Sequence, residues 1–181
     1  MGCCLCEKCL SENKPCANYH NGCASAFYYE GPAKDVVLRF KFGTDNALCF
    51  DTLCDWLLLA FEKLDERDFD AVVPVPAFGF DKTILSELAE KFSLMADIPF
   101  HPEYLRKIRR TPKQHSLSAF ERRVNLIGAF EAEDSVFGKR ILLIDDIFTT
   151  GTTAAECSNA LYDTGAEKVS VLTVLKTRYN D

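Results

Sequence analysis

The fourteen residues Arg140-Ile-Leu-Leu-Ile-Asp-Asp-Ile-Phe-Thr-Thr-Gly-Thr-Thr153 constrain the fold of this chain more than any other stretch. Ile141 to Ile144 are apolar in succession, lack the alternation of a half-solvated strand and carry β-branched residues at both ends. They predict a strand buried on both faces, near the middle of a sheet. The strand is expected to end at two adjacent carboxylates, Asp145 and Asp146. The chain then turns through Thr149, Thr150 and Gly151, and Ala154, Ala155, Cys157, Ala160 and Leu161 follow at helical spacing, predicting a helix that begins near Thr152.

A helix start leaves about four backbone N–H groups without internal partners and carries a positive partial charge, so an anion placed there meets several donors at once. Gly151 allows close approach of the backbone, and Thr149, Thr150, Thr152 and Thr153 add short hydroxyl donors. No lysine follows the glycine as it does in the nucleoside-triphosphate loop, so the turn suits one phosphate monoester. Two carboxylates beside a phosphate repel it unless something lies between them. A sugar diol donating hydrogen bonds, with Mg²⁺ nearby, fits that gap and makes a phosphorylated ribose the expected ligand.

The run Ile141 to Thr153 resembles, position by position, the phosphoribosyl-pyrophosphate (PRPP) signature of type I phosphoribosyltransferases. The resemblance implies that Asp145 and Asp146 contact the ribose hydroxyls and that Thr149, Thr150, Gly151, Thr152 and Thr153 cradle the 5′-phosphate. Two other readings of the stretch are an ordinary capped helix start and a phosphoacceptor aspartate. The second fits poorly with an acidic pair that follows several earlier α/β units.

Those units can be read in order. An aromatic strand over Ala24 to Tyr29 leads to Gly31-Pro32 and a helix whose Ala33, Val36, Val37 and Phe40 share one face, with Gly43 placed to close it. Arg39-Phe40-Lys41-Phe42 interleaves bases with aromatics and is read as a core face beside a solvated one rather than a nucleic-acid contact. Phe50, Leu53, Leu57, Leu58, Phe61 and Leu64 mark a second helix, with Trp56 beside its stripe. A strand over Asp70 to Val75, a helix from about Lys82 to Leu94 and a strand near His101 to Ile108 continue the alternation, which predicts a parallel sheet with right-handed crossovers. Loops at the carboxyl ends of such strands build ligand sites, and Val75 to Gly79 is one of them.

The chain has 21 basic and 27 acidic residues in 181, a net charge of −6 and a pI of about 5.1, which argue against direct nucleic-acid binding. Yet seven of its basic residues lie between Leu105 and Phe130: Arg106, Lys107, Arg109, Arg110, Lys113, Arg122 and Arg123. Basic charge concentrated in an acidic protein suits a polyanion such as pyrophosphate, the alternative being a solvated basic surface. Thr111 to Ser116 lacks apolar periodicity and reads as a lid-like loop, and Ser118 with Glu121 suits a capping box. Lys107, Arg109 and Lys113 are the candidates for contacting the leaving group.

Six of the nine cysteines fall within the first 23 residues: Cys3, Cys4, Cys6, Cys9, Cys16 and Cys23. Cys6 and Cys9 have the spacing that grips one tetrahedral zinc. Cys3, Cys16, His20 or Cys23 would have to complete the site, and a terminus with free thiols is the alternative. Cys49, Cys54 and Cys157 lie in apolar helical contexts and read as small core residues. No apolar run approaches the roughly 20 residues that span a bilayer, and no basic-then-apolar leader opens the chain, so a cytoplasmic protein without membrane contact is expected.

Leu105-Arg-Lys-Ile-Arg109, Thr111-Pro112, Gln114, Leu117-Ser118, Glu121-Arg-Arg123, Asn125 and Gly128-Ala-Phe130 resemble the ComF family of competence-associated phosphoribosyltransferase homologues, as do Tyr29-Glu-Gly31, Lys41-Phe42 and Val73-Pro-Val-Pro76. The resemblance implies an α/β fold with a type I phosphoribosyltransferase-like core: a parallel twisted sheet flanked by helices, with a small hood and an N-terminal cysteine-containing segment. Residues 1–23 would form that partial zinc-ribbon-like segment and 24–181 the phosphoribosyltransferase-like domain. Where the family has two C-x-x-C pairs, Cys6/Cys9 matches the second, and where it has a longer basic loop after Val-Pro-Val-Pro, Gly79-Phe80-Asp81-Lys82 follows almost at once.

The implied activity is transfer of the 5-phosphoribosyl group of Mg-PRPP to a nitrogen nucleophile of a small-molecule acceptor, with release of pyrophosphate. Relatives acting on 6-oxopurines commonly place a carboxylate base where this chain has Thr149, which points to an amine or an already ionised ring nitrogen. A non-catalytic PRPP-binding protein and an accessory protein docking to a partner of the competence machinery are the alternatives. A homo-oligomer is compatible with all three.

Overall fold

The structure, a computed structural model, describes residues 22–42, 47–77, 83–110 and 126–178. Strand β1 (Cys23–Tyr28) is followed by helices α1 (Gly31–Phe42) and α2 (Ala47–Phe61), strand β2 (Ala71–Pro74) and helix α3 (Ile84–Ala96). Then come short strands β3 (Leu105–Lys107) and β4 (Phe130–Ala132), the long strand β5 (Arg140–Phe148), helix α4 (Thr152–Asp163) and the long strand β6 (Lys168–Lys176). Hydrogen bonding orders four strands β1–β6–β5–β2, with β2 and β5 parallel and Ala71 to Pro74 in register with Ile141 to Ile144. The fold is α/β, a sheet of strands with helices packed against it, as the sequence predicts. None of its described helices is long and apolar enough to cross a membrane.

The chain divides into two compact units, both of which draw on β5 and β6. One comprises β1, α1 and α2 together with 145–148 and the end of β6 from Leu172. Here α1 buries Ala33, Val36, Val37 and Phe40, the face read from their spacing, and the Phe40 ring lies 6.0 Å from Phe50 on α2. Phe27 of β1 meets Trp56 edge-on at 5.0 Å, an arrangement favoured by the ring quadrupoles. Ser25 and Thr173 hydrogen-bond to each other inside the core, and Lys63 donates to the carbonyls of Ser25 and Ala26 at 2.8 Å each. Cys49 and Cys54 are buried, as expected of small core residues, and Cys23 heads β1 as another buried cysteine.

The other unit contains β2, α3, β3, β4, the first part of β5, α4 and the start of β6. Ile141 to Ile144 are wholly buried, the outcome their unbroken apolar run requires. Arg140 ties β5 to the chain before β2: its N–H donates to the Asp70 carboxylate, its carbonyl accepts from the Asp70 N–H, and its guanidinium pairs with Asp68. Gly165 has a φ of +94°, and a Cβ there would stand 2.5 Å from the Phe137 ring, so both backbone and packing demand glycine.

Four expectations need correction. β5 does not stop at the acidic pair but runs through Phe148. The segment near His101 to Ile108 does not extend the parallel sheet. Only Leu105–Lys107 is strand, and it pairs antiparallel with Phe130–Ala132, because a 3₁₀ turn over Pro102–Tyr104 redirects the chain after Phe100 has made a single parallel bridge to Val72. Helix α3 begins at Ile84, where Thr83 accepts a hydrogen bond from the Ser86 N–H as a cap. Leu64, read as part of the second helix, lies beyond its end at Phe61 and is buried there. Gly43, the capping box of Ser118 and Glu121, the Thr111–Ser116 loop and the cysteines from Cys3 to Cys16 lie outside the described residues.

Candidate functional site

The end of β5 carries the acidic pair. Asp145 is part-buried, and its Oδ1 accepts a hydrogen bond of 2.9 Å from the Asp146 N–H. Loss of hydration pushes the Asp145 carboxyl up to about 7, and the adjacent Asp146 charge adds to the rise; the Asp146 N–H and the Lys41 ammonium oppose it. Lys41 Nζ lies 2.5 Å from Asp146 Oδ2, with 30% of the lysine side chain and 20% of the aspartate side chain exposed. The pair is sheltered enough to be weakly screened, unlike a surface ion pair. Lys41 is the residue that reading the sequence for chemistry missed. Its place one residue after the core-facing Phe40 of α1 was the available signal, but nothing in local spacing links α1 to Asp146.

β5 closes on Phe148, whose carbonyl accepts from the Thr177 N–H at 2.9 Å and whose ring faces the Lys176 ammonium at 5.4 Å. The next residue, Thr149, opens the threonine turn of the other unit. Gly151 holds the N-cap position of α4 with φ 75° and ψ 0°, the left-handed conformation that disfavours a side chain. It makes no side-chain cap. The first bond of the helix runs from the Ala155 N–H to the Gly151 carbonyl at 2.8 Å, so the N–H groups of Thr152, Thr153 and Ala154 precede the helical ladder. Thr152 N–H is turned toward Thr150 Oγ1 at 3.4 Å, a long contact, and the two hydroxyls share a bond of 2.8 Å. The turn thus brings backbone N–H groups and threonine hydroxyls together, with the Thr152 N–H only weakly engaged. The geometry suits a tetrahedral oxyanion.

Of the leaving-group candidates, Lys107 and Arg109 are described and Lys113 lies outside the described residues. Lys107 lies in β3, half-buried, its ammonium 5.5 Å from the Phe130 ring centroid, and burial holds its pKa below the usual lysine range despite the opposing influence of Cys157. Arg109 donates to the Ile127 carbonyl at 2.8 Å, and Arg106 pairs with Glu131 and Glu133 at 3.0 and 3.1 Å. Lys107 also lines a cleft of about 990 Å³ with Pro76, Thr83, Ser86, Glu90 and Phe100. Cys6 and Cys9, the candidate zinc ligands, lie outside the described residues. For Mg²⁺ the fit rests on the donor set: two hard carboxylates, one already facing a lysine, suit a cation that keeps most of its waters and arrives with its substrate.

Known proteins define the class to which this geometry belongs. Residues 55–179 match the family described as the phosphoribosyl transferase domain. The DNA utilization protein YhgH of Escherichia coli strain K12 is 34% identical over 185 aligned positions, covering 95% of this chain and 78% of that protein. Competence protein F of Haemophilus influenzae is 32% identical over 159, covering 80% of this chain and 68% of its own length. Among solved structures, the glutamine PRPP amidotransferase of Bacillus subtilis, complexed with ADP and GMP, superposes with a TM-score of 0.50 at 20% identity, over 74% of this chain and 30% of that one, a likeness of fold. The chain belongs to the ComF family of phosphoribosyltransferase homologues.

Proposed function

We propose that the protein binds Mg-PRPP and transfers its 5-phosphoribosyl group to a nitrogen nucleophile of a small molecule, releasing pyrophosphate. The observation that carries this is the sequence of chemistry along 145–153: two carboxylates at the end of a buried strand, then without a break a threonine turn at a helix start whose Gly151 sits at positive φ. Asp145 and Asp146 hold the ribose diol, and Thr149, Thr150, Gly151, Thr152 and Thr153 hold the 5′-phosphate. Mg²⁺ arriving with the substrate beside Asp145 and Asp146 would supply positive charge to balance the pyrophosphate. As the C1–O bond breaks, pyrophosphate takes the bonding pair and the ribose gains oxocarbenium character, so fixed hydroxyls and an anchored phosphate hold C1 for attack. We assign Lys107, Arg109 and Lys113 to the leaving group, the whole acting in the cytoplasm on metabolites of the nucleotide pool.

A second reading has its own support. Arg106 and Arg109 are turned to the protein's own acceptors and Lys107 is half-buried over Phe130, an arrangement that suits a PRPP-binding protein without turnover. The relatives' names, Competence protein F and DNA utilization protein, favour an accessory role in competence or DNA utilization for this reading. Its partner would be a competence-machinery protein, docked through the cysteine segment with zinc on Cys6 and Cys9. Pyrophosphate release from Mg-PRPP, assayed against a panel of nucleobases and amines, separates the two. Turnover with any acceptor establishes transfer, PRPP affinity without turnover leaves the binder, and no affinity for PRPP rejects both.

A further inference from the structure

Lys41 is the one cation placed against the acidic pair among the described residues, and nothing in the signature of 141–153 accounts for it. Its helix is fixed by Val36, Val37 and Phe40 in the core and by the Phe40–Phe50 ring contact, so the ammonium is delivered from an anchored backbone. It meets Oδ2 of Asp146, a single-point contact, whereas a bidentate guanidinium would cover both carboxylate oxygens. Asp145, for its part, already accepts a hydrogen bond on Oδ1 from the backbone of its neighbour.

We propose that Lys41 is a positioning residue for ribose phosphate: it neutralises and orients Asp146 so that the other carboxylate oxygen faces the sugar diol, letting an anionic substrate approach two adjacent acids. The inference rests on the ribose-phosphate reading of 145–153 and extends it to a residue outside that motif. Two neighbouring carboxylates carry two negative charges at most, and a polyphosphorylated sugar brings several more. One fixed ammonium brings the resting charge of the pair closer to neutral before any metal arrives, and it does so without occupying the diol-facing oxygen. The plainer alternative is that Lys41 only complements the carbonyl end of α1, where any cation is favoured. In that case its loss would affect stability and not ligand choice.

The two accounts separate in a ratio. Ribose 5-phosphate needs both the acidic pair and the threonine turn, and inorganic phosphate needs the turn alone. Calorimetric titration of the full chain with each ligand, for wild type, Lys41→Met and Lys41→Arg, reads the ratio directly, with circular dichroism confirming the fold of each variant. Lys41→Met is expected to weaken ribose 5-phosphate by about tenfold or more while inorganic phosphate changes by less than about twofold. Lys41→Arg restores the charge and is expected to recover part of the loss. An unchanged ratio in Lys41→Met overturns the positioning role and leaves the ribose-phosphate reading standing. Tighter ribose 5-phosphate binding in that variant overturns it too, because Lys41 would then be a plug. A wild-type protein that prefers ribose 5-phosphate no more than inorganic phosphate removes the underlying reading and this inference with it.

Discussion

The two halves of 145–153 are built on opposite principles. Asp145 to Phe148 is a charged strand end already engaged by the protein: Asp146 with Lys41, Asp145 with the Asp146 N–H, Phe148 with Thr177 and Lys176. Thr149 to Thr153 is uncharged, with the Thr150 and Thr152 hydroxyls bonded to each other at 2.8 Å and the Thr152 N–H in a long 3.4 Å contact with Thr150 Oγ1. The proposed function uses this difference to recognise an anion and a diol with one short run. In that proposal charge is handled where a cation can be brought against it, and the phosphate is left to neutral dipoles that ask for no change of protonation.

The sharpest way to break this contrast is to remove one half. Replacing both acids, Asp145→Asn with Asp146→Asn, is expected to weaken ribose 5-phosphate by about a hundredfold or more, the loss of two charge-assisted acceptors, and to leave inorganic phosphate affinity unchanged within about twofold. Equal losses for both ligands, measured by calorimetry, would show that the halves do not divide the work as described.

Next in size is a pH effect confined to the charged half. The Asp145 carboxyl stands at about 7 in the folded protein against an ordinary 3.8. Between those values the folded state holds a proton that the unfolded chain has lost, so stability falls as pH rises from about 4 through about 7. The shift sets a ceiling of about 4 kcal/mol, and partial hydration reduces the expected cost to about 2 kcal/mol. Asp145→Asn keeps the acceptor for the Asp146 N–H and is expected to flatten this slope and to raise stability near pH 8 in urea melts. A slope that survives the substitution contradicts the assignment.

How much of this the sequence disclosed depends on how local each feature is. The buried strand over Ile141 to Ile144, the helix from Thr152 and the apolar face of α1 follow from patterns within a dozen residues, and all three stand where they were expected. The sequence does not show which sheet β3 joins, because its apolar and basic residues could serve any strand, and the residues that redirect it, Pro102 to Tyr104, form a turn whose consequence depends on the distant β4. Lys41 was invisible as a site residue for the same reason: its partner is more than a hundred positions away, and a lysine on a helix reads as solvated. The membership of Phe148 in β5 was hidden by the acids before it, which resemble a strand terminus and are instead tolerated within the strand because Lys41 and a backbone N–H meet them.

Two smaller changes sharpen the neutral half. Gly151→Ala forces a side chain into the left-handed region and is expected to cost about 1–2 kcal/mol in phosphate affinity or in stability, with Gly151→Asn milder. A thermal melt paired with phosphate titration registers which, and an alanine variant indistinguishable from wild type in both would mean that the strained turn is not required. Thr152→Val removes one hydroxyl donor and is expected to lower phosphate affinity only a few-fold, about 0.5–1.5 kcal/mol, without altering the pH slope that belongs to Asp145.

The most direct test of the central claim is a backbone amide NMR titration of the full chain with ribose 5-phosphate. Saturable shifts at Gly151, Thr152, Thr153 and Ala154, accompanied by shifts at Asp145 and Asp146 that inorganic phosphate does not produce, are the predicted result. Saturation with those amides unmoved, or shifts at the turn that ribose 5-phosphate and phosphate produce identically, would contradict it.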